Sequence, residues 1–387
     1  VSLQKNMKDY NSEMKKIFDR SFYRKKKVLI TGHTGFKGSW MCAVLKELGA
    51  KVTGYALEPP AEPNLFELCR LSEKMNSVTG DIRDLEKLKE VFYAAQPDIV
   101  IHMAAQPLVY EAYQNPVDTY EINVMGTVNV LECIRHTPSV QSFVNVTTDK
   151  VYKNREWEWG YRENEELNGY DPYSNSKSCS ELVTSSYINS YFKGSQTAVS
   201  TVRAGNVIGG GDFAANRIIP DCVRGAYGQK RIEVRNPNSI RPYQHVLDAI
   251  MAYLLIGQAQ YRQKEYAGNY NIGPEDKDAV ETGTIVTMFC QLWARWTGEI
   301  LDWDAGKEKG FHEANFLKLD CSKMKQKFQW RPVWNIEQAI EKTVEWSVMY
   351  QRGEDIVKCM KNQIEEFIEE FESERFSNAL QEQKWKK

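Results

Sequence analysis

Lys27-Val-Leu-Ile-Thr31, running directly into Gly32-His-Thr-Gly35-Phe-Lys-Gly38, is the stretch that decides the architecture. The first five residues read as a short buried strand, and three evenly spaced glycines then break it. Ser39–Leu48 follows with helical spacing and is closed by Gly49. A strand, a glycine turn and a helix in that order make a dinucleotide site. Glycines permit a tight turn, admit a pyrophosphate close to the backbone and let the helix approach the strand, while the helix N-terminus faces the phosphates. The candidate cofactor-binding residues here are Gly32, His33, Thr34, Gly35, Phe36, Lys37 and Gly38.

The same alternation continues outward. Lys51–Ala56, Ser77–Gly80, Pro97–His102, Ser142–Thr147 and Thr197–Val202 read as further strands. Between them lie helical patterns over Asp84–Ala95, Pro116–Arg135 and Tyr173–Phe192. Strands alternating with helices of this length predict right-handed βαβ units: an α/β fold with a doubly wound parallel Rossmann sheet. After Arg203 the pattern loosens at Gly209-Gly-Gly211 and becomes rich in Trp and Pro. Residues 25–205 therefore form the dinucleotide-binding domain, and 206–371 mainly a smaller C-terminal substrate-binding α/β domain with some segments returning to the first. Residues 1–24, polar and with Met7 and Met14, are taken as an extension outside the fold. Residues 372–387 are taken as a charged tail, and the Glu-rich helix from about Lys361 as solvated.

Bulk properties narrow the function. Fifty Lys and Arg against 52 Asp and Glu give a net charge of −2, so no general field draws the chain to nucleic acid or an anionic membrane. Apolar runs are too short to span a bilayer. The eight Cys are scattered without a CxxC pair, which reads as reduced thiols in a cytoplasmic protein. The five His lack metal-ligand spacing, so no metal is expected.

Two features carry the chemistry. Tyr173 and Lys177 stand four apart and share one helix face. A phenol of ordinary pKa ~10 is a poor base, but a neighbouring ammonium and a positive nicotinamide favour its phenolate, which can take a hydroxyl proton as hydride leaves. Thr147 or Thr148, at the end of the preceding strand, supplies the accompanying hydroxyl. Thr148-Asp149-Lys150 adds an acid and an amine that simple hydride transfer does not need. One expected element is missing: the ribose-gripping acid at the end of the second strand is replaced by Ala56, with Glu58 two places late.

The GxxGxxG spacing resembles the short-chain dehydrogenase superfamily, and Asp81-Ile82 occupy the place where that superfamily contacts adenine. Thr148-Asp149-Lys150 resembles the Thr-Asp-Glu triplet of nucleotide-sugar 4,6-dehydratases, with Lys for Glu as in the CDP-glucose 4,6-dehydratase branch. Pro59–Phe66, Ala104-Ala105-Gln106-Pro-Leu-Val109, Asn154–Arg162, Asp171–Lys177, Arg203–Asp212, Arg241–Asp248 and Glu313–Asp320 resemble the same branch. The resemblance implies NAD as cofactor, bound also by Ala104, Ala105, Gln106, Thr147, Tyr173 and Lys177, and CDP-glucose as substrate. In that chemistry Tyr173 is the base at C4 and Asp149 the acid for the departing C6 hydroxyl. Lys150 either removes the C5 proton or only positions the sugar. As a base it would need its pKa lowered from ~10.4 to ~7–8. Asn206, Arg217 and Arg241 are candidate partners of the substrate diphosphate, with a solvated-helix role open for Arg217. Trp157 and Trp159 read equally as a lid or as loop packing. Another nucleotide-sugar 4,6-dehydratase or a 4-epimerase is the alternative, and a homodimer is expected by analogy.

Overall fold

The computed structural model describes residues 18–306 and 316–385, with side chains through Ser373. Residues 1–17, with Met7 and Met14, and Glu313–Asn315 of the Glu313–Asp320 stretch lie outside the described residues. Seven parallel strands form one sheet: β1 (Lys27–Thr31), β2 (Lys51–Ala56), β3 (Asn76–Thr79), β4 (Ile99–His102), β5 (Ser142–Val146), β6 (Ala198–Ala204) and β7 (Asn269–Ile272). Their spatial order is β7-β6-β5-β4-β1-β2-β3, so the winding reverses between β1 and β4. Ligands of open α/β sheets bind outside the strand carboxyl ends at such a switch point.

Alternate strand residues feed two cores, because successive side chains point to opposite faces. Leu29, Val100, Phe143 and Val199 pack with α2 (Leu85–Ala95) and α3 (Gly126–Arg135). Val28, Ile30, Ile99, Ile101, Val144 and Val202 pack on the other face, against Trp40 and Val44 of α1 (Phe36–Glu47). The long α4 (Pro172–Tyr187) lies beside α3. A separate core unites α5 (Ile218–Tyr227), α7 (Thr282–Thr297), α8 (Ile336–Gln351) and the short strands Ile232–Val234 and Trp303–Ala305. Between these pieces the chain returns to the sheet: α6 (Val246–Arg262) lies under β5 and β6, and β7 pairs with β6.

Two sequence expectations are corrected. The C-terminal helix α9 (Ile356–Trp385) is not a solvated rod, since Cys359, Met360, Ile364, Phe367, Ile368 and Phe371 are buried. Their i, i+3, i+4 spacing forms an apolar stripe that the Glu-rich opposite face disguises. The end of the predicted extension also belongs to the core. Phe18 packs edge-on to Phe371 at 5.9 Å, and the fully buried Tyr23 donates its hydroxyl to the Leu254 carbonyl at 2.6 Å. Among the described residues no helix is long and apolar enough to cross a membrane.

Candidate active site

The glycine turn is built for a ligand as well as for the fold. Gly32 adopts φ +78°, and a Cβ there would lie 2.7 Å from the Ala104 backbone nitrogen. Gly35 differs: a Cβ there would meet nothing nearer than the Gly32 carbonyl at 3.6 Å, so the protein's own packing does not require glycine. Gly35 is the N-cap of α1, gives the helix no side-chain cap and leaves open space at its positive end. A dinucleotide pyrophosphate fits that space and that dipole.

His33 turns its ring away from the turn. The ring is buried, Nε2 pairs with Ser77 Oγ at 2.7 Å, and Gly54 is the residue that makes room for it. Burial lowers its pKa to about 4, so the imidazole is neutral. Thr34 ties the turn to the end of β2 through the Leu57 carbonyl at 2.9 Å. Glu58, the late acid, accepts from Thr79 Oγ1 at 2.9 Å. The N-cap of α2 falls three residues beyond Asp81. Asp84 takes that role through Lys87 N, while the Asp81 carboxylate is gripped by Arg83, which lowers its pKa. Ile82 is buried where α3 approaches through Gly126. Ala104 and Ala105 follow β4, and the Gln106 side chain is spent on Thr119 Oγ1 at 2.9 Å and Leu108 N.

The carboxyl end of β5 presents the reaction centre. Thr148 caps a single 3₁₀ turn, Asp149–Val151, and its hydroxyl donates to Asp149 Oδ1 at 2.9 Å. Asp149 is 1% exposed and its Oδ2 makes no hydrogen bond among the described residues. Burial raises the Asp149 pKa, against an opposing pull from Lys150. Lys150 itself is half-buried beside it. Tyr173 opens α4 and is pushed by burial to about 12, with hydrogen bonding to Thr148 in the opposite direction. Lys177, one turn on, donates to the Val146 carbonyl at 3.1 Å, and burial lowers it to about 8. The adjacent threonines separate here. Thr147 Oγ1 faces the interior, donating to Glu181 at 2.6 Å, so Thr148 is the hydroxyl beside Tyr173.

Positive charge gathers around this centre. Arg241 is buried and bears electrostatically on Asp149, while Arg217 bears on Tyr173. Arg217 sits at the N-cap of α5, pairs with Asp212 at 3.2 Å and keeps a side chain 36% exposed. Asn206 is half-buried just beyond β6, and its carbonyl accepts from Gln244 N at 3.0 Å. Trp157 stacks on Tyr161 at 5.4 Å and Tyr161 on Tyr152 at 5.2 Å, whereas Trp159 is 71% exposed.

Several residues escaped sequence reasoning. Lys37 carries more than its backbone: its ammonium meets the buried Tyr253 hydroxyl at 3.3 Å, within the field of Lys177, Arg217 and Asp149. Asn123, in a π-turn (Glu121–Met125) inside the predicted Pro116–Arg135 helix, joins the Gln106 backbone to Ser176 of α4 at 2.9 Å. π-turns inside helices often mark functional sites. Glu181 and Arg203 form a buried ion pair behind the centre. The π-turn has no composition cue, and the other contacts join residues remote in sequence.

Known proteins match this chain over most of its length. A family model described as GDP-mannose 4,6 dehydratase matches residues 29–343. A CDP-glucose 4,6-dehydratase of Salmonella typhimurium is 46% identical over 91% of this chain and 99% of its own. A probable dTDP-glucose 4,6-dehydratase of Sinorhizobium fredii is 28% identical over 83% of this chain and 92% of its own. Among solved structures, a dTDP-glucose 4,6-dehydratase from Bacillus anthracis in complex with NAD superposes with TM-score 0.70 at 23% identity, over 86% of this chain and 99% of that one. A UDP-glucose-4-epimerase from Stenotrophomonas maltophila superposes with TM-score 0.72 at 20% identity, over 85% and 99%; at these identities the likeness is one of fold. The chain belongs to the GDP-mannose 4,6 dehydratase family.

Proposed function

We propose that the protein is an NAD-dependent dehydratase that converts CDP-D-glucose to CDP-4-keto-6-deoxy-D-glucose and water, a step toward deoxysugars of surface polysaccharide. The observation that carries this reading is Asp149: a buried acid, raised by burial, with one oxygen fixed by Thr148 and the other free of hydrogen bonds among the described residues. A dehydratase needs a proton donor for the C6 hydroxyl, and a 4-epimerase does not. The 46% identical relative carries the same activity in its name.

Bound NAD supplies the hydride acceptor at C4 and the donor at C6, and its positive ring favours the Tyr173 phenolate that burial alone disfavours. Thr148 and Tyr173 hold the C4 hydroxyl, and Tyr173 takes its proton. Lys177 holds its partners through its ammonium, which also favours the phenolate. The 4-ketone acidifies C5–H, Lys150 removes that proton, Asp149 protonates the departing C6 oxygen so that it leaves as water, and Lys150 returns the proton to C5 as hydride reaches C6. Arg217, Arg241 and Asn206 are the partners proposed for the diphosphate, with Arg suited by its bidentate geometry.

Exposed Val117, Met125, Leu182 and Tyr191, on and around α3 and α4, support a homodimer paired through those helices. The eight cysteines are all free, in keeping with a cytoplasmic enzyme. Incubation with CDP-, dTDP-, UDP- and GDP-hexoses tests the activity by product mass. Loss of one water from CDP-glucose with no net change in NAD is the expected result. A product of unchanged mass with C4 inverted would establish an epimerase.

A further inference from the structure

Glu181 lies one turn beyond Lys177 on α4, and Arg203 lies on β6. Their side chains are 2% and 1% exposed. Arg203 meets the carboxylate with two donors, Nε to Oε1 at 3.0 Å and Nη2 to Oε2 at 2.9 Å. The same two oxygens accept Thr147 Oγ1 at 2.6 Å and Thr201 Oγ1 at 2.7 Å. Nη1 of Arg203 reaches the other way, to the Tyr152 hydroxyl at 2.9 Å and the Glu163 carbonyl at 3.0 Å. Tyr152 then donates to Asn271 Oδ1 at 2.6 Å, and Asn271 Nδ2 donates to the Tyr161 carbonyl at 2.6 Å.

The reaction loop runs from Thr148 to Val151. Thr147 immediately precedes it and Tyr152 immediately follows it, so a single ion pair grips both ends. Through Asn271 and the Tyr152–Tyr161–Trp157 stack the same network reaches the loop that carries Trp157. We propose that Glu181 and Arg203, with Tyr152 as their outer link, are positioning residues that hold Asp149 and Lys150 in place for the steps after C4 oxidation. This rests on the dehydratase reading above.

Stability alone does not account for such a pair, because well-packed apolar residues often replace a buried ion pair at no loss. Orientation does. A bidentate guanidinium–carboxylate pair fixes direction as well as distance, and catalytic groups must be held within about 0.5 Å of their working geometry. Thr148 also serves C4 through Tyr173, but Tyr173 and Lys177 themselves stand on α4 and Tyr152 lies at the far end of the loop, beyond Asp149 and Lys150, so loosening that end affects elimination more than oxidation.

Tyr152→Phe tests this with little risk to folding, since it removes one hydroxyl from a residue that stays packed. The expected result is a parental melting temperature, kcat lowered about tenfold, KM for CDP-glucose within about twofold of the parent and NADH absorbance building up during turnover. Amides 148–163 should also exchange with heavy water faster. A Tyr152→Phe enzyme with parental kcat and exchange, or one slowed at C4 oxidation with no NADH build-up, overturns the proposal. The parent assayed alongside keeps the two readings apart: a parent inert toward CDP-glucose sinks the activity, not the brace, which the exchange rates then decide.

Discussion

The Thr148 hydroxyl donates to Asp149 Oδ1 over 2.9 Å and engages Tyr173 as well, so one side chain joins the group proposed for C4 to the group proposed for C6. Its neighbour Thr147 points the other way, into Glu181. Thr148→Val should therefore lower kcat about 100-fold, the lower range for losing a positioned proton-transfer partner, with little change in melting. Thr147→Val should act chiefly on stability: it leaves a buried carboxylate oxygen short of a donor, costs about 1–3 kcal/mol and, by loosening one end of the loop, lowers kcat far less than Thr148→Val does. Steady-state kinetics and thermal melts on the pair separate the two roles, and equal kinetic losses would refute the division.

Two glycines of the turn should also behave oppositely. Gly35→Ala finds space in the protein, because the nearest atom to its new Cβ is 3.6 Å away, so melting should hold while NAD binding weakens. Gly32→Ala meets the Ala104 backbone at 2.7 Å and must also hold φ +78°, so the fold itself should suffer. Titration of cofactor-stripped protein with NAD, set beside apo melting curves, checks both.

Lys37 gives a pH prediction. Burial, then Arg217 and Lys177, lowers its pKa from 10.5 to about 8 in the folded protein. Between those values the unfolded chain binds the extra proton, so this group's contribution to stability rises with pH across that window. Below about 8 the folded protein carries the enclosed charge in full. Lys37→Met should accordingly melt higher than the parent near neutral pH, and its margin should shrink as pH approaches about 10. A margin independent of pH would show that Lys37 keeps an ordinary proton affinity.

The sheet was legible because its strands are short apolar runs punctuated by Gly and Pro; β1 and β2 fall where the pattern places them, at Lys27–Thr31 and Lys51–Ala56. The reaction centre was legible because Tyr173 and Lys177 are neighbours on a helix and Thr148-Asp149-Lys150 follows a strand. Contacts between remote segments were not. Nothing local to Glu181 announces Arg203, and nothing in the glycine turn announces Tyr253. The C-terminal helix misled for a different reason: Glu residues dominate its composition, while stability depends on the spacing of the few apolar ones. Phe371, 3% exposed and edge-on to Phe18, makes the correction measurable. Phe371→Ala should cost about 3–5 kcal/mol by denaturant titration, where a solvated position would cost about 0.5 at most.

Lys150 stands where related 4,6-dehydratases are expected to carry Glu, and its role separates cleanly from that of Asp149. If Lys150 removes the C5 proton, Lys150→Met should still oxidise C4, so NADH accumulates, but deuterium from heavy water should no longer enter at C5. Asp149→Asn keeps the shape and loses the proton. It should therefore oxidise C4 and exchange C5 while expelling the C6 hydroxyl slowly, with kcat down about 100-fold or more. Tyr173→Phe should stop before NADH appears at all. The three variants thus arrest at three points, and the isotope at C5 is what distinguishes the first two. Normal C5 exchange and turnover in Lys150→Met would make Lys150 a residue that positions the sugar, and would move the base to a water held against the Asp149 carboxyl, whose Oδ2 makes no hydrogen bond among the described residues.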